Sequence, residues 1–290
     1  MNTTKRARLF LILSMAAFGT LAPFVRRIAV SSGELALYRA ILASLLIRGF
    51  LLVTKQKMQF RSLKKELFLL LFSGVAMGFN WILLFEAYKY TSVAIATLSY
   101  YFAPVIVTLV CPLLFHEKLT GKQILCFVMS TLGLSLVTGI TNLGGGGNDA
   151  VGIAFGLGAA VLYATVILLN KFITGVTGIH RTLLQFLAAV AVLTPYVMLT
   201  SGVNLGNLDF PGWGCLLIVG LVHTGITYCL YFTSLKELSG QEVSILSYID
   251  PLVAVVIGVL VLKEPLNWQQ LLGGILILGF TLLNELDIGK

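Results

Sequence analysis

Charged residues are scarce in this sequence, and its cysteines show none of the spacings that mark redox or metal sites. Asp, Glu, Lys and Arg make up only 11% of the 290 residues, whereas soluble domains carry about 25%. The four cysteines, Cys111, Cys126, Cys215 and Cys229, lie inside apolar runs without a CxxC pair, which excludes a disulfide framework and a zinc site. No glycine-rich loop is followed by Lys-Ser or Lys-Thr, which excludes a P-loop nucleotide site. We therefore predict no cofactor, no metal and no catalytic residues.

Apolar residues dominate the chain instead. They form 58% of it, and the mean hydropathy is +0.95. A membrane-spanning helix needs roughly 20 mostly apolar residues, so there is room for about ten such helices. Breaks rich in charge, Gly or Pro separate ten candidate spans, at residues 8–28, 34–54, 66–88, 91–115, 119–141, 151–173, 181–200, 212–233, 239–262 and 267–286. The sequence predicts an all-α integral membrane protein with ten transmembrane helices in the lipid bilayer.

The basic residues lie mostly in the short turns between these spans. With the N-terminus inside, the inner loops and termini hold 14 Lys and Arg, against 4 in the outer loops. The positive-inside rule then places both termini in the cytoplasm, with the protein in the inner or plasma membrane. The net charge of +8 reflects this orientation and not a nucleic-acid surface. The first apolar stretch continues to about Val25, too long for a signal peptide, so we expect a retained helix.

The second half of the sequence repeats the first. Residues 102–119 read FAPVIVTLVCPLLFHEKL, and residues 249–266 read IDPLVAVVIGVLVLKEPL. Sliding the chain by 147 positions without gaps gives nine identities over the 39 positions from 85 to 123. The polar and proline matches include Tyr101 with Tyr248, Pro104 with Pro251, Glu117 with Glu264 and Gln123 with Gln270. The first helices align with a slip of two, which pairs Arg26 with Lys171. Repetition of this length indicates two copies of one helical unit.

Each copy holds five helices, an odd number, so the second copy must enter the membrane in the opposite sense. We expect a first repeat at residues 1–141, a Gly-rich linker at 142–150, and a second, inverted repeat at 151–290. The linker NLGGGGNDA follows no predicted strand and precedes no Lys-Ser or Lys-Thr, so it indicates a flexible joint and not a phosphate-binding loop. Glu117 and Glu264 are predicted on opposite faces of the membrane.

The segment LLFEAYKYTSVAIATLSYYFAPVIVTLVCPLLFHEKL, its second copy LKELSGQEVSILSYIDPLVAVVIGVLVLKEPL and the ten predicted helices resemble the EamA-type, ten-helix branch of the drug/metabolite transporter superfamily. The resemblance covers nearly the whole chain. It implies a secondary transporter whose substrate cavity lies between the halves, lined chiefly by helices 1, 3, 4, 6, 8 and 9, with export as the direction. Inverted repeats suit alternating access because one sequence in two orientations supplies inward-open and outward-open states of comparable energy.

Helices 4 and 9 each carry a face that combines a tyrosine with a proline. The two sets are Thr97, Tyr101 and Pro104, and Ser244, Tyr248 and Pro251, each spaced i, i+4 and i+7. A proline inside a span cannot donate to the carbonyl four residues earlier, and it bends the helix. The freed backbone groups must face protein or a water-filled cavity. Pro104 and Pro251 are therefore hinge candidates, with packing kinks as the alternative.

Ionisable side chains inside spans cost roughly 2.5–3.5 kcal/mol each and usually face the bundle interior. Asp250 and His223 lie in neighbouring cavity helices, where they can take up and release protons and so couple transport to a proton gradient. The alternatives are a buried, hydrogen-bonded His223, and an Asp250 that caps a helix or pairs with an arginine such as Arg39. For Arg39 itself, an ion pair with Glu34 is favoured over binding of a substrate carboxylate.

The substrate-binding candidates combine aromatic surface with polar groups in the predicted cavity helices. They are Asn80, Trp81, Tyr101, Tyr163, His223, Tyr248 and Asp250. Such a wall suits a small amphipathic or aromatic solute, and a small metabolite such as an amino acid is the leading class. The expected partners are this solute and, as a further candidate, protons; the chain acts as a monomer or a homodimer. A membrane enzyme acting on a lipid or isoprenoid is the alternative, but the short loops hold no cluster of acidic or metal-binding residues.

Overall fold

The computed structural model describes residues 3–55, 63–115, 120–138, 149–176, 178–235, 237–238, 243 and 246–285, and these form helices without a β-strand. The α-helices are α1 (Thr3–Gly19), α2 (Leu21–Arg27), α3 (Ser32–Val53), α4 (Leu63–Tyr90), α5 (Val93–Tyr100), α6 (Ala103–Phe115), α7 (Gly121–Thr138), α8 (Asp149–Phe172), α9 (Gly178–Thr200), α10 (Phe210–Leu217), α11 (Thr227–Ser234), α12 (Ile249–Leu260) and α13 (Trp268–Glu285). A 3₁₀ turn, Leu205–Asn207, precedes α10, and a π-helix, Ile218–Ile226, joins α10 to α11.

These helices form the ten predicted transmembrane spans. Seven helical segments are long and apolar enough to cross a membrane, and three shorter apolar helices, Gly121–Val137, Ile249–Leu260 and Trp268–Asn284, complete the set within the described residues. The prediction of an all-α membrane protein is therefore confirmed. Residues 142–148 of the predicted linker, Glu117 and Ser244 lie outside the described residues, while Asp149 and Ala150 already belong to α8.

Spans 1 and 4 are each broken where a proline removes a backbone donor. Span 1 divides at Thr20 into α1 and α2, because Pro23 cannot donate to the carbonyl of Gly19. Span 4 divides at Tyr101 and Phe102 into α5 and α6, because Pro104 cannot donate to the carbonyl of Tyr100. Residues next to both breaks, Leu21 in span 1 and Tyr101 in span 4, line the cavity described below.

The packing follows an approximate two-fold axis that relates the halves. Spans that correspond to each other in the two repeats meet directly: α3 packs on α9, and α7 packs on α13. Contacts between different spans also come in corresponding pairs, since α4 packs on α8 and α11 packs on α1. At the crossing of α7 and α13, a Cβ added to Gly273 would lie 2.8 Å from Cγ2 of Val137. Two five-helix repeats in opposite orientations produce this arrangement.

The repeated glutamines begin the last helix of each half. Gln123 Oε1 accepts from the backbone N–H of Thr120 at 2.8 Å, and its own N–H donates to Thr120 Oγ1 at 3.2 Å. Asn267 and Gln270 form the same reciprocal pair at 3.0 and 2.8 Å. This is a capping box, which satisfies backbone donors at a helix start. The repeat therefore conserves a folding signal between the halves at this position.

Candidate functional site

A cavity of about 380 Å³ lies between the halves, inside the range of small-ligand sites. Side chains from α1, α2, α3, α4, α5, α6, α8, α11 and α12 line it. Nine of its 19 lining residues are aromatic, and they include seven of the ten tyrosines in the chain: Tyr88, Tyr100, Tyr101, Tyr163, Tyr228, Tyr231 and Tyr248. Tyr100 and Tyr163 stack with ring centroids 5.3 Å apart. This wall offers flat apolar surface with hydroxyl groups at its edges.

Asp250 and Tyr101 form the polar contact that joins the halves inside the cavity. The Tyr101 hydroxyl donates to Oδ2 of Asp250 at 2.6 Å. Tyr101 stands at the break between α5 and α6, and Asp250 lies in the first turn of α12. A carboxylate at a helix start is also favoured by the partial positive charge of the exposed N–H groups. The second oxygen of Asp250 accepts no hydrogen bond from the described residues.

Arg39 supplies the cationic group of the cavity. It is only 3% exposed, and its guanidinium lies 4.5 Å from the centroid of the Trp81 ring and 5.4 Å from that of Phe85. Its Nε donates to Thr224 Oγ1 at 2.9 Å. The expected ion pair with Glu34 does not form; Glu34 instead accepts from the backbone N–H groups of Ser31 and Asn204. Arg39 therefore keeps its charge near the cavity without a carboxylate of the described chain within 4 Å.

The π-helix explains how Thr224 reaches Arg39. Within this segment the Thr224 hydroxyl donates to the carbonyl of Val219, five residues earlier, at 2.8 Å. Its oxygen is then free to accept from Arg39. Gly220 lets the π-helix approach Leu42 of α3 closely, since an added Cβ would collide with that side chain. π-helical turns are frequent at functional sites, and this one brings a threonine to the buried arginine.

The structure gathers part of the predicted substrate set around the cavity. Trp81, Tyr101, Tyr163, Tyr248 and Asp250 all line it, and so does the hinge candidate Pro104. Asn80, His223 and Pro251 do not.

Asn80 instead joins α4 to α8 by donating from Nδ2 to the carbonyl of Ala159 at 2.6 Å. His223 is 4% exposed, with Nε2 3.1 Å from Thr20 Oγ1 and its ring packed on Phe24. Pro251 is buried in the first turn of α12. Asn80 and His223 thus connect helices that surround the cavity.

Tyr100 and Tyr231 line the cavity but were absent from the sequence prediction. Tyr100 directly precedes the predicted Tyr101, and the helix break turns both side chains inward. Tyr231 lies three residues after Tyr228, on the same face of α11. The three-residue spacing of Tyr228 and Tyr231 was a sequence signal that could have identified Tyr231. Tyr100 could not be identified in this way, because helical periodicity fails where the helix is interrupted.

Arg26 and Glu264 join the two halves at one end of the bundle. Arg26 donates to the backbone carbonyls of Tyr88 and Thr91 at 3.0 and 2.8 Å, and it forms a salt bridge with Glu264. The second Glu264 oxygen accepts from the backbone N–H of Val93 at 2.8 Å. Because Glu264 follows α12 and its partners belong to the first half, this group of contacts, here called the Glu264 latch, joins the two repeats.

The opposite end of α4 is tied to the second half through Glu66. Its carboxylate accepts from the backbone N–H groups of Thr174 and Gly175, at 3.1 Å and 2.9–3.0 Å, and from the Thr174 hydroxyl. These contacts connect the start of span 3 with the turn between spans 6 and 7. The two-fold axis relates them to Arg27 and Asp209, whose ion pair connects the turn after span 1 with the start of span 8.

Comparison with known proteins agrees with this architecture. The model of the EamA-like transporter family matches the chain twice, at residues 5–139 and 150–285. A Bacillus subtilis (strain 168) protein named uncharacterized transporter YxxF is 31% identical over 273 residues, covering 92% of this chain and 85% of that protein. An uncharacterized transporter of Archaeoglobus fulgidus is 27% identical over 277 residues, covering 94% of each chain.

More distant similarities extend the same pattern. Protein PecM of Dickeya dadantii (strain 3937) is 28% identical over 201 residues, covering 67% of this chain and 65% of that protein. A solved crystal structure shares the fold, with a TM-score of 0.65 and 18% identity over 95% of both chains. The double match of the family model accounts for nearly all of the sequence, and the Bacillus subtilis and Archaeoglobus fulgidus relatives are both named transporters. The chain is a membrane protein that belongs to the EamA-like transporter family.

Proposed function

We propose that the protein is a secondary active transporter that exports a small metabolite, such as an amino acid, by alternating access. The observation that carries the proposal is the cavity between two inverted repeats, with an aromatic wall and two ionisable groups, Arg39 and Asp250. A solute held there touches both halves at once, so a relative tilt of the halves moves its access from one face of the membrane to the other.

The Glu264 latch supports this motion because its contacts between the halves are made by side chains. Arg26 and Glu264 are partly accessible, with side-chain exposures of 30% and 11%, so water can replace their partners when the latch opens. The internal repeat assigns the corresponding positions at the other end to Lys171 and Glu117. We propose that the two groups close alternately, so that one end opens as the other closes.

Protons are the proposed coupling ion, and Asp250 is the group that carries them. It is the one acidic side chain among the cavity residues that the structure describes, and Tyr101 holds one of its oxygens. Binding of a proton neutralises this carboxylate and so changes the net charge that the cavity, which also contains Arg39, presents to the solute.

The test is solute counterflow in proteoliposomes. Purified protein is reconstituted into vesicles loaded with one unlabelled amino acid, and entry of the same labelled amino acid is followed for a panel of amino acids. We expect saturable counterflow for at least one of them and a rate that changes when a pH gradient is imposed. Absence of counterflow for every amino acid would contradict amino-acid transport; counterflow indifferent to the pH gradient would contradict proton coupling alone.

A further inference from the structure

Arg39 differs from the other arginines whose hydrogen bonds or ion pairs the structure describes. Arg26 and Arg27 each pair with a carboxylate, and Arg181 donates from one terminal nitrogen to two backbone carbonyls. Arg39 is buried in the bundle but has only the hydroxyl of Thr224 as a hydrogen-bond partner, through Nε. Its two terminal nitrogens donate to no group in the described part of the chain.

A guanidinium remains protonated in proteins, and it presents its donors as a planar fork that matches a carboxylate. Burying such a charge without a counterion is costly, so buried charges are normally paired. The rings of Trp81 and Phe85 offset part of this cost through cation–π contact. They provide no hydrogen-bond acceptor for the terminal nitrogens. Arg39 is therefore held in the cavity wall, while the terminal nitrogens of its guanidinium remain available to bind an acceptor.

Asp250 does not act as the counterion of Arg39. It lines the same cavity, yet none of its oxygens lies within 4 Å of an Arg39 nitrogen. Both residues line this cavity together with Tyr88 and Tyr228. One oxygen of Asp250 is held by Tyr101, and the other has no donor among the described residues. The cavity thus presents one cation and one carboxyl group, separated and each incompletely bonded.

We propose that Arg39 binds a carboxylate of the transported solute, and that Asp250 faces the solute amine, so that the cavity selects zwitterions with an aromatic or apolar body. This inference rests on the proposed transport function and specifies its substrate class. The solute carboxylate supplies the missing acceptors for the terminal nitrogens of Arg39. The rings of Trp81, Tyr100 and Tyr228 supply the surface against which its apolar body packs.

The experiment compares matched solutes that differ by one charged group. Binding to purified wild-type protein is measured by calorimetry for L-phenylalanine, 2-phenylethylamine and 3-phenylpropionate, and for the corresponding leucine series, L-leucine, 3-methylbutylamine and 4-methylpentanoate. We expect the amino acid of at least one series to bind, and its amine, which lacks the carboxylate, to bind at least about tenfold more weakly, as for loss of a charge-assisted hydrogen-bonded pair. Equal affinity for amine and amino acid, or no binding of any carboxylate-bearing compound, would overturn the inference without any variant.

Variants then assign the effect to Arg39. Arg39→Gln should remove the preference for the carboxylate, and Arg39→Lys should retain it in weakened form, because an ammonium keeps the charge but not the planar fork. Arg48→Gln is the matched control, since Arg48 lies in the same helix but is exposed on the bundle surface. Full preference in a folded Arg39→Gln protein would overturn the assignment.

Counterflow separates this inference from the proposed function. If amino acids and the corresponding amines are exchanged equally well, transport stands and the carboxylate site does not. If carboxylate-dependent binding is present but no compound is exchanged in proteoliposomes, the carboxylate site stands and the proposed transport function does not.

Discussion

The hydroxyl of Tyr101 donates to a carboxylate oxygen of Asp250 at 2.6 Å, although the two residues are 149 positions apart and belong to opposite repeats. The contact joins the break in span 4 to the first turn of α12, inside the cavity. Any tilt of one half against the other must carry these two side chains with it or separate them. This hydrogen bond therefore lies in the solute cavity and also spans the two halves that move.

Removal of this contact is expected to impair transport without unfolding the protein. Tyr101→Phe removes this hydrogen bond, and Asp250→Asn removes the charge that strengthens it; for each variant we expect counterflow to fall by at least about tenfold. Tyr196→Phe is the control, because Tyr196 packs edge-on against Phe79 and is absent from the cavity wall. The measurement is counterflow per folded molecule, with thermal unfolding recorded in parallel. Unchanged flux in both cavity variants would remove the pair from the mechanism.

Opening of the Glu264 latch should shift the balance between the two access states. Glu264→Gln removes the charge that Arg26 contacts, and we expect the end that it closes to open about tenfold more often. The readout is labelling of Ile167→Cys, a cavity position, by a membrane-impermeant maleimide in a background without the four native cysteines. Asp209→Asn serves as control, since it breaks the exposed pair with Arg27, which is worth about 0–1 kcal/mol. Equal labelling in the two variants would argue against a gate at Glu264.

Close approach of the last helices of each half should make Gly273 intolerant of a larger residue. A Cβ at this position would lie 2.5 Å from the carbonyl oxygen of Gly133 and 2.8 Å from a Val137 methyl group. Overpacking of this kind costs about 1–3 kcal/mol. We therefore expect Gly273→Ala to lower the thermal unfolding temperature.

The same helix offers the control. Gly279 has no neighbouring atom within 4 Å of an added Cβ, and Gly279→Ala should leave stability unchanged or slightly raised, because Ala favours helix. Equal unfolding temperatures for the two variants in detergent would show that the contact between α7 and α13 is not a tight one.

Two glycines that tolerate substitution should lie on opposite faces of the membrane. Gly121 starts span 5 and Gly206 lies in the turn before span 8, and a Cβ at either position meets no neighbour within 4 Å. With both termini in the cytoplasm, Gly206→Cys is expected to react with an impermeant maleimide added to intact cells, and Gly121→Cys only after permeabilisation. The reverse pattern would invert the orientation derived from the basic residues.

The sequence by itself determined the number of spans, the duplication and the inversion. Apolar runs of spanning length have few alternatives in a bilayer, where each backbone group must be satisfied within its own helix, and five spans per repeat then require opposite orientations. It also singled out Tyr101, Tyr248 and Asp250, because polar groups in apolar runs are costly and stand out. The repeated Gln123 and Gln270 were visible too, although their role as capping residues needed the structure.

Only the tertiary structure decided how Arg39 is used. From the sequence, Glu34 was the obvious partner, five residues away on the same helix. In the fold, Glu34 is occupied by the backbone N–H groups of Ser31 and Asn204, while a π-helix in the other half brings Thr224 to Arg39. A π-helix leaves no signature in a 3.6-residue hydrophobic period, and here it depends on packing against α3 at Gly220. Which partner a charged side chain binds is determined only by the tertiary contacts between helices that are distant in sequence.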